Sequence, residues 1–188
     1  MRRWRRLWRP VWCHRWQWVS PRWWPAISLI KGNGKGGKRR WFWVSLFESG
    51  RLQAYDSSGK LQLDAETAET PRGLALTDDD RLLLTHAMTG QLAIYDLARL
   101  EKGAKGATLP KPSLITLAET HSATPSDSQG LPRLLDGIAL SPDGSEAWLP
   151  HVLWSFDHPF QFQSTVFPAV SIINLDEESE RITERVDE

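Results

Sequence analysis

The sequence predicts an all-β fold, and three observations support that prediction. First, GIALSPDGSEAW (137–148) contains two short apolar segments separated by SPDG, which is typical of two antiparallel strands joined by a tight turn. Second, GLALTDDDRLLL (73–84) has the same pattern at an offset of 64 residues, with Leu84 aligned on Trp148. Third, residues 41–188 contain no sustained apolar period of 3.6 residues, so no long amphipathic helix is expected there.

A second pattern follows each hairpin and defines the length of the repeat. It is GQLAIYDL (90–97) after the first hairpin and AVSIINLD (169–176) after the second, and GRLQAYDS (50–57) lies 40 residues before the earlier of these. The stretch WFWVSLFESG (41–50) aligns with RLLLTHAMTG (81–90) at the same offset. A period of about 40 residues built from short strands is typical of a β-propeller blade, which is a four-stranded antiparallel sheet.

About three such blades fit into the chain, at 41–63, 73–117 and 137–186. With strands labelled A to D from the propeller axis outward, the predicted strands are B 41–47, C 51–56 and D 60–63 in the first blade, A 73–76, B 81–85, C 91–96 and D 114–117 in the second, and A 137–140, B 146–149, C 169–175 and D 181–186 in the third. The first blade therefore lacks strand A. Because closed propellers have four to eight blades, we expect a partial propeller that belongs to a larger protein; a small open antiparallel sandwich is the alternative.

Five residues of the two hairpins are predicted to be structural. Gly73 and Gly137 align with each other at the start of strand A. In the later turn, Pro142 presets φ for the first central position and Asp143 suits the second. Gly144 then accepts the left-handed conformation at the exit of the turn.

The first 40 residues have a different composition from the rest. Residues 1–47 hold twelve of the 23 Lys and Arg and no Asp or Glu, and nine of the eleven Trp lie in residues 1–43. We interpret 1–40 as a basic, Trp/Arg-rich irregular arm that is either disordered or a misread frame, because Gly-rich coding sequence read one base out of register yields Trp and Arg codons. A cationic segment that binds lipid or nucleic acid is the third interpretation. Its Trp and Arg alternate on all sides of a helix, so we expect neither specific nucleic-acid binding nor membrane contact.

The single cysteine excludes several kinds of site. Cys13 has no partner for an intramolecular disulfide or a Cys-pair metal site. His14 follows it, but c-type haem attachment needs C-x-x-C-H and position 10 is a proline, so no cofactor is expected in this chain. The apolar run WWPAISLI (23–30) is too short to span a bilayer and lacks a clear cleavage site, so it is not a convincing signal peptide.

GIALSPDGSEAW followed by VSIINLD resembles the YVTN-type β-propeller repeat, whose pattern is P-x-G-I-A-x-S-P-D-G, a short strand and V-S-V-I-D. The resemblance covers 41–188, although TDDD replaces SPDG in the middle copy. WD-repeat propellers are less similar, since neither Gly-His nor Trp-Asp is present at the expected places. The segment 147–176 is also similar to bacterial propellers fused to haem c or di-haem peroxidase-like domains. These resemblances imply an exported bacterial protein, periplasmic or extracellular, with any haem c in a fused or partner domain.

Antiparallel strand order predicts which loops carry function. The A–B and C–D turns share one face of the disc, and the B–C and D–A loops share the other. Loops 118–136 and 151–168 therefore lie on one face, and the second has a 14-residue insertion, because the offset between copies rises from 64 to 78. We expect Asp136 and His151 to come within about 10 Å there, two interstrand spacings. The predicted binding residues of this loop face, which have no metal-ligand spacing, are His86, His121, Arg133, Asp136, His151, Trp154, Asp157 and His158.

Three functional interpretations follow from the sequence. The first is a scaffold without catalytic activity whose loop face binds a partner protein or a small molecule. The second is the propeller portion of an exported haem-containing redox protein, and the third is a lactonase-type hydrolase. The chain has neither a Gly-rich phosphate loop in a strand–helix context nor a nucleophile motif, which favours the first.

Overall fold

The computed structural model describes residues 29–33, 40–103, 106–159 and 162–181. These residues form three consecutive antiparallel sheets that pack face to face, so the chain is an all-β, partial β-propeller, as predicted. In this part of the chain, no helix is long and apolar enough to cross a membrane. The predicted arm up to residue 28 and the predicted last strand beyond residue 181 lie outside the described residues.

The first sheet contains β1 (Leu29–Asn33), β2 (Arg40–Leu46), β3 (Arg51–Tyr55) and β4 (Leu61–Glu66), in that order. The prediction that this blade lacks its first strand is wrong, because β1 pairs with β2 from Leu29 opposite Val44 to Asn33 opposite Arg40. The sequence LIKGN has no apolar alternation, and a terminal strand needs only the backbone hydrogen bonds of its neighbour to form. The sheet therefore extends into the segment assigned to the basic arm.

The second sheet follows the predicted blade closely. It contains β5 (Pro71–Leu76), β6 (Arg81–His86), β7 (Gln91–Asp96) and β10 (Ser113–Thr116), with β5 and β10 at its edges. Between β7 and β10 the chain makes a single 3₁₀ turn (Leu97–Arg99) and a short hairpin of β8 (Glu101–Gly103) and β9 (Gly106–Thr108). This hairpin has no alternating pattern and was not predicted.

The third sheet differs from its prediction in the 151–168 segment. It contains β11 (Leu131–Arg133), β12 (Ala139–Leu140), β13 (Glu146–Trp154), β14 (Val166–Asn174) and β15 (Ser179–Glu180), with a short helix α1 (Phe162–Thr165) before β14. β13 and β14 pair along their whole length, up to Trp154 opposite Val166. Most of the expected loop is therefore a longer hairpin, because its β-branched and aromatic residues favour cross-strand pairing.

The strand registers correct one detail of the repeat. In the second sheet Thr77 N–H donates to Arg81 O across the turn, whereas in the third Ser141 N–H donates to Glu146 O. The later turn thus has one additional residue, and Trp148 occupies the position of Leu83 rather than that of Leu84. The ladders agree, since Leu83 pairs with Ala75 and Trp148 with Ala139.

Two apolar clusters lie between the sheets. The first contains Trp43, Leu52, Ala54 and Leu63 of the first sheet and Leu74, Leu82, Leu84, Ala93 and Tyr95 of the second. The second contains Ala75, Leu83, Leu92, Ile94, Ile115 and Leu117 on one side and Leu135, Ala147, Leu149, Ile173 and Leu175 on the other. Each face of the second sheet is therefore buried against a neighbour, and this burial is the main stabilising contribution between sheets.

A hydrogen bond and a close backbone approach supplement the apolar contacts. Ser45 Oγ donates to Arg72 O at 2.6 Å, and the equivalent Thr85 Oγ1 donates to Asp136 O at 3.0 Å. A Cβ atom added to Gly73 would lie 1.8 Å from Asp136 O, so the third sheet can approach this closely only because residue 73 is a glycine. Thr85 Oγ1 also accepts from Gly73 N–H at 2.7 Å.

The SPDG turn forms as its residue types predict. Gly144 has φ +75°, and its N–H donates to Ser141 O at 3.0 Å. Asp143 Oδ1 accepts from the hydroxyls of Ser141 at 2.6 Å and Ser145 at 2.9 Å and from Ser145 N–H at 3.1 Å. These bonds, that of Ser141 above all, lower the pKa of Asp143 to about 2.

Candidate functional site

Two segments that were assigned to the loop face contact each other beside the end of the long hairpin. His121 Nδ1 lies 2.9 Å from Asp157 Oδ2, and His158 Nε2 lies 3.2 Å from Ser122 O. A Cβ atom on Gly130 would lie 2.2 Å from Trp154 O, so the loop before β11 packs directly on the end of β13. Residues 36 positions apart in the chain thereby form one surface.

A buried glutamine holds the His121 loop in shape. Gln129 is fully buried; its Oε1 accepts from Ser122 N–H at 3.1 Å and its Nε2 donates to Thr124 O at 2.9 Å. Thr120 and Gly130 exchange both of their backbone hydrogen bonds below it. A buried amide with both ends satisfied restricts a loop to one conformation. Sequence reasoning missed Gln129, because nothing in its neighbours distinguishes it from a surface glutamine.

The ion pair on this surface has a definite electrostatic character. The hydrogen bond from Asp157 raises the pKa of His121, and the charge of Glu119, whose Oε2 lies 3.7 Å from Nε2, adds to the effect. Both His121 and Asp157 are exposed to solvent. The imidazolium form is therefore favoured at a higher pH than in an isolated histidine.

An aromatic pair lies next to the ion pair in the chain. The rings of Trp154 and Phe156 are 6.4 Å apart between centroids and meet at 78°, an edge-to-face contact. Trp154 is half-buried, whereas 67% of Phe156 is exposed. Phe156 thus presents an apolar ring to solvent on a firm support. We call the surface formed by Glu119, His121, Ser122, Trp154, Phe156, Asp157 and His158 the loop patch.

His86 is not part of the loop patch. It is fully buried at the end of β6, where its Nδ1 lies 2.9 Å from Glu69 O, and a carbonyl partner requires that Nδ1 carries the proton. Nε2 is then an acceptor, and it has no hydrogen-bond partner among the described residues. Burial lowers the pKa of His86 and raises that of Tyr95 to about 12, and both line a cleft of about 490 Å³ between the first and second sheets.

The remaining predicted residues lie in different environments. His151 is buried on β13, facing the second sheet, with Nδ1 3.0 Å from Leu149 O. Asp136 instead forms an ion pair with Arg72 of the second sheet, with Nε and Oδ1 2.6 Å apart. Arg133 lies on β11 and donates to the adjacent Pro132 O. Asp136 follows β11 and precedes β12, both of which pair with the strand of His151, but no contact joins the two side chains.

The arrangement can bind but offers no evident catalytic set. Within the described residues, no three His, Cys, Asp or Glu side chains are placed to hold one metal ion. The two clefts of about 490 and 460 Å³ both adjoin the first sheet, away from the loop patch. The loop patch itself offers a titratable ion pair beside an exposed aromatic ring.

No protein-family model matches the chain, and no curated protein matches it in sequence. Solved structures are similar in fold. One is a protein of unknown function from Bacteroides caccae, with a TM-score of 0.52, 10% identity, and a match that covers 87% of this chain and 50% of that one. Virginiamycin B lyase from Staphylococcus aureus follows with a TM-score of 0.39, 11% identity and coverages of 86% and 59%, and hydrazine synthase from Kuenenia stuttgartiensis with 0.36, 12%, 81% and 46%.

These similarities concern the fold alone. The chain spans about half the length of the solved structures that it matches. The YVTN-type repeat, the haem-containing relatives and export from the cell stay predictions.

Proposed function

We propose that this chain is a β-propeller scaffold without catalytic activity of its own, and that its loop patch binds a partner protein. The observation that carries the proposal is Phe156, an exposed aromatic ring supported edge-on by Trp154 and followed directly by the His121–Asp157 ion pair. Binding hot spots combine such aromatic anchors with neighbouring polar groups.

The openness of the loop patch favours a protein over a small molecule. Small-molecule sites are concave and bury most of the ligand surface. The Phe156 ring and the His121 and Asp157 side chains project into solvent, where a complementary surface can cover them without a cavity. The buried Gln129 and the hairpin of β13 and β14 hold the patch in place, so little conformational entropy is lost on binding.

We further propose, from the family resemblance rather than the geometry, that the protein acts outside the cytoplasm of a bacterium. Any haem c belongs to a fused or partner domain in this proposal. A C-x-x-C-H motif in the adjoining coding DNA would support it, and a neighbouring sequence of purely cytoplasmic character would contradict it.

The test compares three immobilised forms of the chain: wild type, Phe156→Ala and Met88→Ala. Met88 is exposed on the turn between β6 and β7 and serves as the matched control. Proteins captured from an extract of the source organism by wild type would be purified and titrated against each form by calorimetry. We expect Phe156→Ala to weaken the affinity more than tenfold, about 1.4 kcal/mol or more, and Met88→Ala to change it less than twofold. Equal affinity for wild type and Phe156→Ala would overturn the proposal.

A further inference from the structure

The repeat places one strand position of each sheet at the contact with the next sheet. Trp43, Leu83 and Trp148 are equivalent, since they pair with Ala54, Ile94 and Ile172 at corresponding points of their ladders. Trp43 is 2% exposed and Leu83 is fully buried, because each lies against the following sheet. Trp148 is 43% exposed. The third sheet thus presents its forward face without a neighbour among the described residues.

The composition of this forward face is apolar throughout. Strand alternation puts it opposite Ala147 and Leu149, which pack on the second sheet. Its cross-strand pairs contain no charged or polar side chain: they are Trp148 with Ile172, Pro150 with Val170, Val152 with Pro168, and Trp154 with Val166. We call these eight residues the open face. Such a contiguous apolar surface is typical of an interface rather than of a solvated sheet.

A glycine at the edge of the open face has no local reason to be a glycine. Gly73 is required because the third sheet comes within 1.8 Å of where its Cβ would be. Its equivalent, Gly137, meets nothing within 4 Å, and no left-handed φ demands it. The third sheet therefore has the small residue that the second uses to admit a following sheet.

The opposite end of the stack has a matching surface. The backward face of the first sheet includes Phe42, Val44 and Tyr55, which are equivalent to Leu82, Leu84 and Tyr95. Tyr95 packs in the same cluster as Trp43. Tyr55 and Trp148, on the two uncovered faces, repeat this buried tyrosine–tryptophan combination. The two faces are therefore complementary in the way that the first and second sheets are.

We propose that a second copy of this chain covers the open face, with its first sheet lying on Trp148 as the second sheet lies on Trp43. The reciprocal contact, made by the open face of the second copy on the first, closes a two-fold ring. Two copies contribute six of the described sheets, within the four to eight that propellers contain. Pro150 stands where Ser45 and Thr85 donate their hydrogen bonds, so this contact is apolar rather than hydrogen-bonded.

The test measures the mass of the full chain in solution by light scattering across a range of concentrations. We expect wild type at twice 21.4 kDa. Trp148→Glu and Tyr55→Glu place a charge on opposite sides of the contact, so each should halve the mass, while Met88→Glu should not. Unchanged far-ultraviolet circular dichroism would show that the variants remain folded. An equimolar mixture of Trp148→Glu and Tyr55→Glu should recover part of the dimer, because one unmutated contact can form between them.

Three outcomes would overturn this inference. A wild-type monomer at all concentrations would show that no second copy binds. A dimer that Tyr55→Glu leaves intact would show that the open faces meet each other instead. Masses that grow beyond the dimer with concentration would show head-to-tail chains that do not close.

Discussion

Replacement of Gly73 by alanine tests whether the close approach of the second and third sheets is essential to the stack. The new methyl carbon would lie 1.8 Å from Asp136 O and 2.8 Å from Thr85 Oγ1. Ordinary contact begins at 3.4 Å, so the two backbones must separate by about 1.6 Å along that line. Such a movement breaks the 3.0 Å bond from Thr85 Oγ1 to Asp136 O and strains the 2.7 Å bond from Gly73 N–H.

The expected loss follows from these contacts. Overpacking costs about 1–3 kcal/mol, and each disrupted hydrogen bond contributes about 0.5–1.5 kcal/mol. We therefore expect Gly73→Ala to lower the free energy of unfolding by about 2–4 kcal/mol. With a urea dependence of about 2 kcal/mol per molar, the unfolding midpoint falls by about 1–2 M.

The assay is equilibrium urea unfolding followed by tryptophan fluorescence, in the Trp148→Glu background so that contacts between copies do not contribute. Gly137→Ala is the matched control, because its Cβ meets nothing within 4 Å, and we expect it to change the stability by less than about 0.5 kcal/mol. Equal stability of Gly73→Ala and Gly137→Ala would refute the reasoning, because it would mean that the sheets are not held at the described distance.

Three further predictions concern titrating groups, each measurable by NMR. The pKa of Asp143 should be about 2, so its turn contributes stability above pH 3.8 that is lost as the pH falls toward 2, and Ser141→Ala should raise that pKa. The pKa of His121 should exceed 6.5, so its pairing contributes below pH 6.5 and is lost as the pH rises through the folded value; Asp157→Asn should lower the pKa, and no change would contradict the ion pair. The pKa of His86 should lie below 6.5, so stability should decline as the pH falls from 6.5; a His86 that titrates normally would show that it is not buried.

Much of the strand pattern could be predicted from local sequence. Apolar alternation and turn residues located β5, β6 and β7 to within about two residues, because both signals depend on neighbours in the chain. β1 escaped prediction because LIKGN forms a strand only when β2 is present to pair with it. The extension of β13 to Trp154 was missed for the same reason, since its partner β14 lies after the tip of the hairpin.

The candidate site was predictable as a set of loops but not as a set of contacts. The disc topology assigned His121 and Asp157 to one face, and their segments do meet there. It also assigned His151, which is buried instead, because strand alternation turns its side chain toward the second sheet once the hairpin continues past residue 150. Gln129 had no local signal at all.

The sequence by itself determined the fold class, the 40-residue period and the SPDG turn, since alternation, spacing and turn chemistry are properties of residues near one another in the chain. The tertiary structure alone decided which side chains meet. One additional residue in the later turn moved Trp148 from the position of Leu84 to that of Leu83, which turned it to the uncovered face. Burial, pKa and the need for Gly73 depend on what packs against a residue, and that partner comes from another blade.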